Sequence, residues 1–179
     1  MRLVKYLKGS RDLCLVLGGL DAELHAYSDA DWASSADRKS ISGFAVFRGY
    51  GCISWSSKKQ PIIALSSTES EYIALTHLTK DVLWTRKLLT DLHEPPSEAT
   101  PVYCDNQGAI RLTKDSAFHA RTKHIDIRFH FIRQTAERGD IIVHDCRTDD
   151  MIADIFTKPL GRVKFEKFRF LLGMESHAA

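Results

Sequence analysis

Between residues 66 and 92 the apolar side chains recur with a helical period, at Leu75, Leu78, Val82 and Leu89, until Pro95-Pro96 stops the run. Before that point the period is different. Residues 23–31, 41–47 and 52–56 read as strands, and Gly49-Tyr50-Gly51 reads as the hairpin turn between the last two. Residues 61–65 form a fourth short apolar stretch. Several strands joined by short loops suggest an antiparallel meander, and the long helix that follows is placed to cover it. Ser66-Ser67-Thr68 supplies N-cap candidates for this helix, with Glu69 and Glu71 in its first turn.

Beyond the helix, residues 102–105 read as a strand and 107–112 as a helix, a βα unit. Residues 121–137 are basic and aromatic, with a helix expected in their second half. Residues 141–146 form another strand. Thr148 is expected to cap a short helix ending at Pro159, and residues 164–172 are amphipathic. The expectation is an α/β domain with a mixed sheet. At the start of the chain, residues 2–8 have a helical pattern and 13–17 a short apolar run closed by Gly18-Gly19, which reads as the tail of something larger.

A chain of 179 residues can bury a substantial core as one domain. Its net charge of +2 neither demands nor excludes a nucleic-acid partner. Cys14, Cys52, Cys104 and Cys146 are scattered without a CxxC pair and read as reduced thiols. No apolar run approaches the roughly 20 residues of a membrane span. The N-terminus has no signal-peptide core, so the cytosol or nucleus is the expected location.

Four carboxylates lie at the edges of apolar segments: Asp29, Glu71, Asp105 and Asp154. Glu71 falls one turn before Leu75 on the apolar face of the long helix and is expected to point at the sheet. Glu69 aligns instead with Thr76 and Lys80 and is expected to face solvent. Asp29 and Asp31 share a strand face, but Asp29 sits deeper, so Asp31 is kept as an accessory. Asp105 follows an apolar strand, at the carboxyl end where open α/β sheets bind ligands; an N-cap role for the next helix is its alternative. Asp154 lies between Ala153 and Ile155, where a carboxylate needs a partner. Brought together, these acids would repel one another unless divalent cations bridged them.

Several motifs then add up. Tyr27-Ser28-Asp29-Ala30-Asp31-Trp32, Ile53-Ser54-Trp55-Ser56-Ser57-Lys58-Lys59-Gln60-Pro61 and Leu65-Ser66-Ser67-Thr68-Glu69-Ser70-Glu71-Tyr72 closely resemble the ribonuclease H domain of copia-type retrotransposon polyproteins. So do Tyr103-Cys104-Asp105-Asn106, Arg121-Thr122-Lys123-His124-Ile125-Asp126 and Ala153-Asp154-Ile155-Phe156-Thr157-Lys158-Pro159-Leu160. The resemblance covers residues 22–173. It implies a ribonuclease H-like fold: a five-stranded mixed sheet, its first three strands antiparallel, flanked by helices. It also divides the chain into a remnant of a reverse transcriptase connection region (1–20), the ribonuclease H domain (21–160) and a C-terminal amphipathic tail (161–179).

The same resemblance implies catalytic and metal-binding roles for Asp29, Glu71, Asp105 and Asp154, with Asn106 as an accessory. Carboxylates without a Cys or His set suit two Mg²⁺ or Mn²⁺ ions. Asp29 and Asp105 would ligate both, with Glu71 and Asp154 completing one each. The implied substrate is the RNA strand of an RNA–DNA hybrid, and the implied partner is a reverse transcriptase domain of a parent polyprotein. Lys58, Lys59, Arg121, Lys123 and His124 are the candidates for nucleic-acid contact, with Arg128 and Arg133 weaker. His119, His124, His130 and Cys146 fit no zinc spacing. Trp32 and Trp55 read as core or strand-packing residues. Many cellular ribonucleases H carry a mobile histidine before the last aspartate; residues 144–150 offer no clear equivalent, and His144 falls in the strand. Two rivals remain: a decayed binding module on the same fold, and an integrase-like nuclease. The latter class orders its acids Asp, Asp, Glu, whereas here Glu comes second.

Overall fold

The computed structural model describes residues 2–19, 23–114 and 123–176. Its centre is a five-stranded sheet of β2 (Leu24–Asp31), β3 (Ile41–Arg48), β4 (Gly51–Lys59), β5 (Thr100–Cys104) and β6 (Ile141–Asp145), in the order β4-β3-β2-β5-β6. The pairs β2–β3 and β3–β4 are antiparallel, whereas β5 joins β2, and β6 joins β5, in parallel. This is the mixed sheet expected from sequence. A separate two-stranded sheet pairs β1 (Leu13–Leu15) with β7 (Met174–Ser176), so segments from opposite ends of the chain lie side by side.

The strand period of two explains how the sheet buries both faces. Leu24, Ala26, Phe44 and Val46 face the long helix α2 (Ser67–Asp91) and meet its Leu75, Leu78, Val82 and Leu89. The shorter helices α3 (Gln107–Lys114) and α4 (Lys123–Glu137) add Ile110 and Ile132 to this core. On the other face Ala45, Phe47 and Tyr27 pack against the 3-10 helix η2 (Ile152–Phe156), which follows a shorter one, η1 (Thr148–Asp150), and against α5 (Arg162–Leu171), chiefly through Ile152, Phe156 and Phe168. The remaining helix, α1 (Arg2–Gly9), touches this layer through an edge contact of Tyr6 with Phe165. Among the described residues no helix is long and apolar enough to cross a membrane.

Four local expectations are corrected. The apolar stretch 61–65, which follows the strands in sequence, adds none to the sheet: it is irregular, with bends at 61, 62 and 65. Pro61 has no amide proton, and buried Gln60 turns the chain by donating to Ser42 Oγ and the Ser70 carbonyl. Glu69 is buried rather than solvent-facing, at 7% exposure. Ser66 Oγ accepts from the Glu69 amide while the Glu69 carboxylate accepts from the Leu65 amide, so capping overrides helical phase. Thr148 does not cap a helix; Arg147 precedes η1 without a side-chain cap, and the segment up to Pro159 winds as two short 3-10 pieces. Trp32 and Trp55 are not core residues: they are 48% and 57% exposed.

Candidate metal centre

The site forms where β2 and β5 run side by side, at their carboxyl ends. Asp29 is the sixth residue of β2 and lies on the face that packs against η2. Asp105 follows β5 directly. Glu71 comes from the first turns of α2, and its carboxylate accepts a hydrogen bond from the Ala30 amide. One carboxylate oxygen from each of Asp29, Glu71 and Asp105 lies within 4.8 Å of the others. Asp29 and Glu71 are buried and Asp105 is half-buried. Helical phase picks out Glu71 and strand depth picks out Asp29; Asp31 and Asp154 fall outside this three-acid group.

Burial makes this arrangement electrostatically tense. It pushes the Asp29 carboxyl up from 3.8 to about 6, against the opposing effect of Thr157 and Lys158 and with help from Asp154 and Asp105. Burial also holds Glu71 well above the usual carboxylate range, reinforced by the charges of Asp29 and Asp105. Glu71 Oε2 is buried without a hydrogen-bond partner. An orphaned carboxylate oxygen beside two further carboxylates is the donor set of a hard divalent cation. The residues therefore fit such an ion.

The neighbours hold the acids in place. Asn106 Oδ1 accepts from the Ala109 amide at 2.9 Å, so Asn106 rather than Asp105 caps α3. That frees Asp105, whose Oδ2 accepts from Thr148 Oγ1 at 3.0 Å. Thr157 Oγ1 donates to Asp29 Oδ2. Gly43 pairs with Asp29 across β2–β3 and lets η2 close on the sheet; a Cβ there would sit 2.6 Å from Thr157 Cγ2 and 2.9 Å from Phe156 Cβ.

Asp154 lies apart from the three-acid group. Its carboxylate is fully buried and is held by two lysines, Lys158 at 2.8 Å from Oδ1 and Lys164 at 2.8 Å from Oδ2. Lys158 also lies 3.5 Å from Asp29 Oδ1, and its ammonium is held up to about 12 by these carboxylates although burial opposes it. Sequence reasoning missed Lys158, Lys164, Thr148 and Thr157. The i,i+4 spacing of Asp154 and Lys158 was a readable signal; Lys164 belongs to another helix and left none.

Of the nucleic-acid candidates, Lys58 and Lys59 are exposed at the end of β4, and Lys59 Nζ lies 3.3 Å from Asp37 Oδ1. Half-buried His77 is lowered first by burial, then by the charges of Lys80, Arg128 and Lys58. Lys80, and His77 itself, were not singled out from the sequence. Arg133 is half-buried on α4. Arg121 and His119 lie outside the described residues; Lys123 and His124 begin α4, their side chains undescribed. His144 lies in β6 with its ring tilted against Tyr103, as its strand placement implies.

The strand order and the position of the acids define a ribonuclease H-like domain. Among solved structures the chain is similar to LC11-RNase H1, crystallised in complex with an RNA/DNA hybrid, with a TM-score of 0.55 at 14% identity over 75% of this chain and 94% of that one. No family model matches the chain. It is 44% identical over 176 residues to the retrovirus-related Pol polyprotein from transposon TNT 1-94 of Nicotiana tabacum, covering 98% of this chain and 13% of that protein. It is 42% identical over 175 residues to the corresponding polyprotein from transposon RE2 of Arabidopsis thaliana, covering 97% and 12%. The chain is thus a ribonuclease H domain related to the Pol polyproteins of copia-type plant retrotransposons, and it spans about an eighth of the length of these curated relatives.

Proposed function

We propose that this chain hydrolyses the RNA strand of RNA–DNA hybrids with the help of two divalent cations, Mg²⁺ or Mn²⁺. The observation that carries the reading is the meeting of Asp29, Glu71 and Asp105, whose carboxylate oxygens lie within 4.8 Å of one another, with one Glu71 oxygen left without a hydrogen-bond partner. Asp154 is the fourth ligand, reached through Lys158. Ions held by these carboxylates would supply an activated water and would stabilise the departing 3′ oxygen.

The protein's own groups perform the rest. Asp29 and Asp105, from adjacent strands, fix the spacing of the site. Thr157 and Thr148 orient their carboxylates by hydrogen bonds. Lys58, Lys59, Arg121, Lys123 and His124 neutralise phosphates, and the 2′-hydroxyl distinguishes RNA from DNA. In the parent polyprotein a reverse transcriptase domain would deliver the hybrid.

The test is incubation of the purified protein with an end-labelled hybrid and Mg²⁺ or Mn²⁺, beside Asp105→Asn. The expected result is cleavage of the RNA strand by wild type alone. Hybrid binding without cleavage under either metal would replace the nuclease with a binding module on the same fold.

A further inference from the structure

We propose that Lys158 is a built-in counter-cation that keeps the second divalent-ion position closed, so that the two ions bind in a fixed order. The first is received by Asp29, Glu71 and Asp105. The second can bridge Asp29 and Asp154 only after the Lys158 side chain has swung out. This rests on the metal-dependent reading of the site.

The two halves of the centre differ in what fills them. The three-acid half has a buried carboxylate oxygen, Glu71 Oε2, with no partner. In the Asp154 half Asp154 Oδ1 also lacks a hydrogen-bond partner, but the Lys158 ammonium lies 2.8 Å from it and supplies a compensating charge. Lys158 Nζ stands between the two buried acids, 2.8 Å from Asp154 Oδ1 and 3.5 Å from Asp29 Oδ1. A cation bridging the same two oxygens must take that place, and two positive charges so close in a poorly hydrated pocket exclude each other.

Lys158 and Lys164 are similarly exposed, at 33% and 30%, and differ in what anchors them. The Lys158 side chain is 33% exposed, whereas those of Asp29 and Asp154 are 2% and 1%, so the lysine can retract into water and the acids cannot. Its backbone stays put: the Lys158 and Thr157 amides both donate to the Asp154 carbonyl, and Pro159 follows. Lys164 Nζ also donates to the Thr148 carbonyl at 2.9 Å and lies 5.2 Å from the Phe168 ring centroid. It has no contact with Asp29 and fixes Asp154 from the far side. A phosphate arriving beside Asp154 gives the Lys158 ammonium an alternative partner, so nucleic acid and the second ion should assist each other.

The experiment counts bound Mn²⁺ by electron paramagnetic resonance in the absence of nucleic acid. Wild type should bind one ion readily and a second more weakly. Lys158→Met, or Lys158→Gln where the methionine variant does not fold, should tighten the second ion on the order of tenfold, the usual scale of coupled binding, and leave the first within about twofold. Lys158→Arg should keep the wild-type order. Lys167→Met removes a nearby charge that pairs with Asp150 rather than Asp154, and should change neither ion. An unchanged second affinity in Lys158→Met and Lys158→Gln, or equal tightening in Lys167→Met, overturns the proposal while leaving the nuclease reading intact. Failure of wild type to bind any Mn²⁺ sinks the metal-dependent reading itself.

Discussion

Asp29 keeps a carboxylate where water barely reaches it, and that has a cost that can be read as a function of pH. With its carboxyl raised from 3.8 to about 6, the folded protein holds a proton that the unfolded chain has released. Its contribution to stability is therefore greatest at low pH and declines as pH climbs from about 4 to 6, by about 3 kcal/mol. Glu71 acts in the same direction, whereas His25 and His77, both lowered by burial, act in the opposite one. The useful quantity is a difference. Asp29→Asn should stabilise the ion-free protein at pH 7 by about 1–3 kcal/mol and hardly at all at pH 4, measured by chemical denaturation. Equal effects at both pH values would contradict this. At this scale the sequence was informative where a side chain follows the period of its element. Leu75 and Leu78 aim Glu71 at the sheet, and strand parity places Asp29. It was misleading for Glu69, because a capping carboxylate obeys hydrogen-bonding geometry at the helix end rather than the phase of the helix interior.

Elements meet here across contacts that tolerate little change. η2 closes onto β3 because residue 43 has no side chain. Gly43→Ala should push η2 outward, cost about 1–3 kcal/mol by overpacking, and weaken ion binding because Thr157 and Asp154 travel with η2. Gly161→Ala, with nothing within 4 Å of the new methyl, should leave both quantities unchanged. Denaturation midpoints and Mn²⁺ titrations of the two variants separate packing at η2 from a general intolerance of added methyl groups. The long α2 and the strands were legible from their periods. η2 was not: five residues of 3-10 helix carry no amphipathic period, and Thr148, which looks like a helix cap, spends its hydroxyl on Asp105.

Across the molecule, the two ends of the chain are stitched together beneath α5. Leu13 pairs with Ser176, the Val16 amide donates to the Gly173 carbonyl, and the Cys52 amide donates to that of Leu172. Because α5 carries Lys164, this seam supports the far side of Asp154. Removing residues 1–19 should speed amide hydrogen exchange across residues 162–176 while leaving β2, β3 and β5 protected, as mass spectrometry would show. Unchanged exchange in α5 and β7 would mean the seam carries no stability. Residues 1–20 and 161–179 each read from sequence as flanking pieces, and nothing local indicates that they pair, since a contact between chain ends has no periodic signature.

The parallel neighbourhood of β2 and β5 has one more consequence. Asp29 and Asp105 become neighbours only when the chain has made the whole crossover through α2, so the site is absent from the meander that forms from near neighbours in sequence. Long-range strand pairing is the slow part of folding such a chain. The affinity for a divalent ion is thus acquired late, and an ion that binds reports that the crossover has closed.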